Sequence, residues 1–266
     1  ILLYSLANLA NAFVTDVNSY AFLRFLAGLG LAGELGAGIT LVGESMTIEH
    51  RGYGTILVAT MGALGAVAAG LAGDLLPWRT TYVIAGTGGL GLLLLRMRSL
   101  EPALYEKTRQ LDLIRKGSFS LLFSNKKRSL RYVSFILIGI PVWYCVGMLI
   151  NLSPELAHQA GVEGIRPATC FILYQIGIAT GDLSSGILSQ LLKTRKKVLT
   201  GYLLTALAGV AFFFLAIHSY KSATAMMIGA VWTGFGCGYL SVFVTTAAES
   251  FGTNLRVTVV ATVTNF

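Results

Sequence analysis

The sequence predicts an all-α protein that crosses a membrane many times, built as two pseudo-symmetric helix bundles. Three observations carry that expectation. Hydrophobic residues make up 55% of the chain and charged residues 12%, against about 25% charged in soluble globular domains. Apolar stretches close to the roughly 20 residues that a spanning helix needs recur along the whole length. A pattern of glycines, a Glu-Ser pair and an arginine occurs twice, once in each half of the chain.

Taken in order, spans are expected at about 1–15, 20–42, 55–76, 80–97, 130–150, 168–192, 198–217 and 223–247, with a ninth beginning near 257. Ile1 and Phe266 both stand within apolar runs, so both ends are expected to be truncations. The first run lacks the basic start and small-residue cleavage site of a signal peptide, and it is expected to be the tail of a true span. The second run is crowded with glycine from Gly28 to Gly38 and carries Arg24 and Glu34. The fifth contains Pro141, which removes a helical N–H and permits a kink. Asp182 interrupts the sixth. No soluble domain remains over. The expected division is 1–97 for the remainder of an N-terminal bundle, 98–130 for a linker, and 131–266 for most of a C-terminal bundle.

A net charge of +8 invites a nucleic-acid reading, but the distribution of the charge rejects it. Lys and Arg crowd alternate loops: Arg51, then Arg96 through Arg131, then Lys193 to Lys197, then Arg256. The opposite loops hold Arg79, Arg166 and Lys221. Such asymmetry orients a membrane protein and puts the linker 98–130 in the cytoplasm. Anionic lipid headgroups are the expected contact, with no nucleic-acid partner. Cys145, Cys170 and Cys237 lie within spans, without the spacing or the histidines of a metal site, so they are expected as buried apolar residues and no metal or cofactor is expected. His50, His158 and His218 stand alone at loops or span ends.

At an offset of 205 the chain aligns with itself: Glu44-Ser45 over Glu249-Ser250, Arg51 over Arg256, Gly33 over Gly238. A repeat of the whole pattern implies two halves of like topology related by an axis along the membrane normal. In lipid, small residues let helix backbones approach closely, and Gly177/Gly181 and Gly234/Gly238 have the i, i+4 spacing for it. The glycines serve either tight static packing or helices that rock against each other.

Arg24, Glu34 and Asp182 lie where a charge costs about 2.5–3.5 kcal/mol on insertion scales, so each needs a partner, a proton or a wet cavity. Arg24 and Glu34, ten residues apart, stand about 80° apart and about 15 Å along the helix, able to border one cavity but not to pair. Gln175, Ser185 and Ser189 share the face of Asp182. That polar stripe either lines a solute path or bonds a neighbouring helix. Trp143, Tyr144, Asn151, Tyr174, Trp232 and Tyr239 supply stacking and hydrogen-bonding groups for a solute, or belong to interfacial aromatic belts. The candidate substrate-binding set is therefore Arg24, Glu34, Trp143, Tyr144, Asn151, Tyr174, Gln175, Asp182, Trp232 and Tyr239, with Glu34 and Asp182 as the proton-coupling candidates.

These motifs resemble the major facilitator superfamily, nearest its sugar-porter and metabolite–proton symporter branches. The stretch from Arg24 through the glycines to Glu34 is similar to the family's fourth helix. Glu44 to Gly52 is similar to the loop after it, and Glu249 to Arg256 to the loop after the tenth helix. Arg96 to Pro102 resembles the cytoplasmic segment after the sixth helix, and Gly181 to Lys197 the basic turn after the eighth. The resemblance covers essentially the whole chain, from the third helix into the eleventh. It departs from the family pattern at Gly252, where proline is usual, between Glu101 and Pro102, where a serine is missing, and at Ser189 to Lys193, which lacks the usual Asp-Arg.

The resemblance implies the major facilitator fold, truncated at both ends, and alternating access between two rocking halves. It implies an inner gate at Glu44, Arg51, Glu101, Glu249 and Arg256, and a cavity holding Arg24, Glu34 and Asp182. The alternative for the gate charges is solvated helix ends. The expected activity is secondary transport of a small polar organic solute, a sugar, an organic acid or a similar metabolite, coupled to protons. An uncoupled facilitator and a non-transporting solute receptor of the same fold remain open. A membrane enzyme is set aside, because the sequence has no His-Glu-x-x-His, no Asp-x-Asp and no phosphate loop ending in Lys-Ser or Lys-Thr. The chain is expected to be multi-pass in the plasma or cell inner membrane, with lipid, solute and protons as partners, and to act as a monomer.

Overall fold

A computed structural model describes residues 1–46, 51–97, 119–252 and 255–265. Every long element is a helix. The first four are α1 (Leu2–Asn11), α2 (Val17–Ser45), α3 (Arg51–Leu75) and α4 (Trp78–Arg96). Asp16 caps α2 by accepting the Ser19 N–H at 2.8 Å, satisfying one of the donors that a helix start leaves free. Pro77 precedes α4, where its fixed φ suits a chain entering a helix.

After a short 3-10 turn at Phe119–Phe123 comes α5 (Lys126–Tyr144), capped by Asn125, which accepts the Lys127 N–H. This helix opens at Lys126, within the stretch expected as linker; residues 98–118 lie outside the described residues. Pro141 sits inside α5, and the helix widens into a π-turn at Cys145–Ile150 directly after it, a common way for a helix to absorb a proline. Then follow α6 (Ser153–Gln159), α7 (Pro167–Leu192), α8 (Arg195–Leu215, continued by a π-turn at Ala216–Tyr220), α9 (Ala223–Cys237), α10 (Leu240–Ser250) and α11 (Arg256–Val263). Lys193 and Lys221 stop two of these helices in the left-handed conformation, the usual terminator geometry.

Five paths among the described residues are long and apolar enough to cross a membrane: Tyr53–Leu75, Lys126–Ile150, Ala168–Leu192, Arg195–Tyr220 and Ala223–Ser250. Of the remaining expected spans, α1 is shorter, with ten residues, and α2 and α4 have 29 and 19 residues. The span expected at about 223–247 differs in form. It is two helices end to end, α9 and α10, broken at Gly238 and Tyr239.

The break has a packing cause. α7 and α9 lie backbone to backbone, and a Cβ on Gly238 would stand 2.5 Å from the Gly181 Cα. A Cβ on Gly234 would run into the Tyr174 carbonyl. No residue larger than glycine fits at such a crossing. The remaining packing sets α3 against α7, α8 against α9, α1 between α2 and α4, and α11 against α2.

The internal repeat is visible as geometry. α2 ends at Ser45 and α10 at Ser250, and both exit into extended backbone, Met46 at φ −109, ψ 153 and Phe251 at φ −125, ψ 154. α11 starts at Arg256, and Arg51 lies within α3, directly after residues outside the described ones. The helix ends therefore keep the same 205-residue offset as the residues that suggested the repeat.

Candidate functional site

Breaking the α9–α10 path strands the first N–H groups of α10 inside the protein, away from water. Asp182, from α7, reaches them. Its Oδ1 accepts the Ser241 N–H at 3.0 Å, and the Ser241 hydroxyl donates to the Asp182 carbonyl at 3.4 Å. A carboxylate at a helix N-terminus is also favoured by the helix dipole. Asp182 is fully buried, and its Oδ2 has no hydrogen-bond partner among the described residues. A buried carboxylate oxygen without a donor is costly.

Oδ2 belongs to a residue that lines a cavity of ≈ 280 Å³. Its walls come from both parts of the chain. α3 supplies Val58, Ala59, Gly62 and Ala63, and the later helices supply Trp143, Gln175, Tyr239 and Phe243. The aromatic walls are held in place by backbone carbonyls. Tyr239 donates its hydroxyl to the Ile138 carbonyl at 2.7 Å, and the Trp143 indole donates to the Thr264 carbonyl at 3.0 Å. The polar stripe on α7 divides accordingly. Gln175 and Asp182 line the cavity, while Ser185 is buried and its hydroxyl bonds the Asp182 carbonyl at 3.3 Å. Ser189 lines a separate small cleft with Ser241 and Arg195.

Of the ten sequence-derived solute residues, the structure brings Trp143, Gln175, Asp182 and Tyr239 together and sets the others apart. Tyr174 is fully buried in the second bundle and donates to the Val142 carbonyl at 3.4 Å. Trp232 packs on Phe212 with ring centroids 5.4 Å apart. Tyr144, the last residue of α5, and Asn151, just after the π-turn, are exposed. Arg24 is exposed on α2 beside Tyr82, whose hydroxyl meets that of Tyr20 at 3.1 Å. Glu34 has a partner the sequence did not assign: Arg96, from the end of α4, at 3.1 Å. Asn265 links this neighbourhood to the cavity, since its amide donates to the Ala32 carbonyl at 3.3 Å and the adjacent Thr264 lines the cavity.

Three arginines from three elements gather at the far end of α10. Arg195 pairs with Glu249. Arg131 donates to the Ser250 carbonyl at 3.0 Å and Arg256 to the Ala248 carbonyl at 3.2 Å. Cations on the last carbonyls of a helix complement its dipole. Of the gate candidates, Glu249 and Arg256 thus lie together here. Glu44 stands near the end of α2 and Arg51 lies within α3, with side chains outside the described residues, as is Glu101.

Arg131 was visible in the sequence only as a member of the basic loops, and Arg96 and Arg195 also as parts of the family-like segments; none was assigned the partner it has here. Ser241, Phe243 and the small residues of α3 carried no signal, because nothing in their own helices marks the neighbour they meet.

The sequence profile of the Major Facilitator Superfamily matches residues 1–266. A putative niacin/nicotinamide transporter of Bacillus subtilis is 29% identical over 97% of this chain and 64% of its own length. A 3-(3-hydroxy-phenyl)propionate transporter of Escherichia coli is 28% identical over 98% of this chain and 63% of its own length. A probable 4-methylmuconolactone transporter of Cupriavidus pinatubonensis is 25% identical over 97% of this chain and 61% of its own length. The chain thus spans under two thirds of the length of these relatives. A family profile that runs from the first residue to the last, over an all-helical, multi-pass architecture with an internal repeat, establishes that this chain belongs to the Major Facilitator Superfamily.

Proposed function

We propose that the protein is a secondary transporter of small organic solutes working by alternating access, with Asp182 as its proton acceptor. The observation that carries this reading is the unpartnered Oδ2 of the buried Asp182, on a cavity walled by both halves. A group buried without a donor and bordering a path between two bundles is placed to gain and lose a proton as the path opens to either side. Glu34 is the weaker candidate, because Arg96 already compensates its charge.

The cavity favours a flat, largely apolar solute over a sugar. Trp143, Tyr239, Phe243 and the aliphatic face of α3 dominate its wall, and a polyol there would lose more hydrogen bonds to water than Gln175 and Asp182 return. The relatives' names, for niacin or nicotinamide, a hydroxyphenylpropionate and a methylmuconolactone, fit small unsaturated ring compounds.

α10 connects solute site and gate. Its start is held by Asp182 and its end by Arg131, Arg195 and Arg256. Protonating Asp182 removes the negative charge from the helix start, weakens that hold and frees α10 to shift at its cytoplasmic end. The test is the full-length protein in liposomes, assayed for niacin and 3-(3-hydroxyphenyl)propionate. Asp182→Asn is expected to abolish accumulation driven by a pH gradient while leaving solute exchange at equilibrium. Accumulation equal to wild type would remove Asp182 from coupling; exchange without any pH-driven accumulation in the wild type would make the protein an uncoupled facilitator.

A further inference from the structure

A second cavity, of ≈ 290 Å³, lies between the first turn of α5 and the α10–α11 junction. Its lining includes Lys127, Arg128, Arg131 and Asn125 on one side and Ser250 and Phe251 on the other, and no carboxylate stands among the lining residues. We infer that this cavity holds the phosphate of an anionic phospholipid headgroup.

Charge complementarity comes first. Lys126, Lys127, Arg128 and Arg131 fall within six consecutive residues at the start of a membrane-crossing path, the arrangement that attracts anionic headgroups on the cytoplasmic leaflet. The positive end of the α5 dipole points the same way. Two of the guanidiniums are pre-set. Arg128 donates to the Leu121 carbonyl at 2.9 Å and to the Ser124 hydroxyl at 3.1 Å, and Arg131 to the Ser250 carbonyl. A guanidinium has five N–H donors, so these bonds fix both heads and leave donors for phosphate oxygens. Lys127 is exposed, able to close over a bound anion.

The flank of the cavity distinguishes a lipid from a free phosphate. In the 3-10 turn before α5, Phe119 and Phe123 are exposed, and they pack edge-on against Tyr132 of α5. Leu130, between Arg128 and Arg131 in sequence, is 67% exposed. An apolar surface beside a cationic cavity, at the end of a spanning helix, matches a molecule with a charged head and hydrocarbon chains. A soluble anion would use only half of it.

Such a lipid would bridge α5 to the end of α10, beside the Arg131–Ser250 bond. Occupancy would brace the cytoplasmic end of the second bundle, independently of which solute the protein takes or whether it moves protons.

The experiment uses the full-length protein in nanodiscs of phosphatidylcholine, with and without phosphatidylglycerol, with co-purified lipid read by native mass spectrometry and unfolding by thermal melting. Phosphatidylglycerol is expected to stay bound and to raise the melting temperature. Lys127→Ala, which breaks none of the structural bonds above, is expected to weaken its retention about fivefold, and Lys127→Glu more. Lys197→Ala, which removes the same charge from the same membrane face, is expected to leave retention unchanged. Equal losses from Lys127→Ala and Lys197→Ala would reduce the effect to bulk surface charge and overturn the site. Inorganic phosphate that displaced the lipid and gave the same melting shift in detergent would overturn the lipid assignment in favour of a free anion.

Discussion

Asp182 and Ser241, 59 residues apart in sequence, meet through a 3.0 Å hydrogen bond from the Ser241 N–H to the Asp182 Oδ1. The contact exists because α9 stops at Cys237 and α10 restarts at Leu240, which exposes a helix start that a side chain must satisfy. It makes one aspartate both the cap of a half-helix and a wall of the cavity between α3 and the later helices.

The two roles separate by substitution. Asp182→Ala leaves the Ser241 N–H buried without an acceptor and is expected to destabilise the second bundle by about 1–3 kcal/mol, read as a lower melting temperature in detergent. Asp182→Asn keeps an acceptor for that N–H but loses the charge that favours a helix start, and is expected to lose less stability than Asp182→Ala. Matching losses for the two variants would show that the charge, not the cap, holds α10.

Helix crossing at the break depends on the missing side chains. Gly238→Ala puts a methyl 2.5 Å from the Gly181 Cα, an overpacking that costs about 1–3 kcal/mol or more. The expected readout is loss of the monodisperse peak on size-exclusion chromatography. Gly201→Ala is the control, since nothing lies within 4 Å of a Cβ there, and it is expected to behave as wild type.

Glu34 and Arg96 form a pair whose side chains are 23% and 40% exposed. Partial exposure screens the pair, so breaking it with Arg96→Gln is expected to cost about 1 kcal/mol or less of stability. Uptake by the full-length protein is expected to suffer more than stability does. Reversing both charges, Glu34→Arg with Arg96→Glu, is expected to recover more uptake than either reversal alone.

The Trp143 indole both lines the cavity and donates to the Thr264 carbonyl. Trp143→Phe keeps an aromatic face and loses the bond, so solute affinity is expected to fall severalfold, about 1 kcal/mol. Trp143→Ala removes the face as well and is expected to weaken binding further, by about 0.5–1.5 kcal/mol beyond the lost buried area. Niacin titrated into each full-length variant, followed by calorimetry, distinguishes the two contributions.

Much of this architecture was legible in the residues. Runs of apolar side chains long enough to cross a bilayer can only be helices, since every backbone N–H must find its partner within the segment. The repeated Glu-Ser positions marked the ends of α2 and α10, and Arg256 the start of α11, because helix ends are set by local caps and turns. The break at Gly238 was not legible. Gly234 and Gly238 announced a close contact, but a kink depends on which backbone lies opposite.

The candidate site divides on the same principle. Composition and periodicity alone determined that Asp182 shares a face with Gln175, that Arg24 and Glu34 cannot pair with each other, and that the positive charge crowds alternate loops. Each of these is fixed by 3.6 residues per turn or by a count of charges. Tertiary structure alone decided that Asp182 caps α10, that Glu34 pairs with Arg96, and that Tyr174 and Trp232 turn away from the cavity. A single helix fixes the direction of its side chains and leaves their partners open. Those partners follow from how helices dozens of residues apart cross, and here glycine contacts between α7 and α9 govern that crossing.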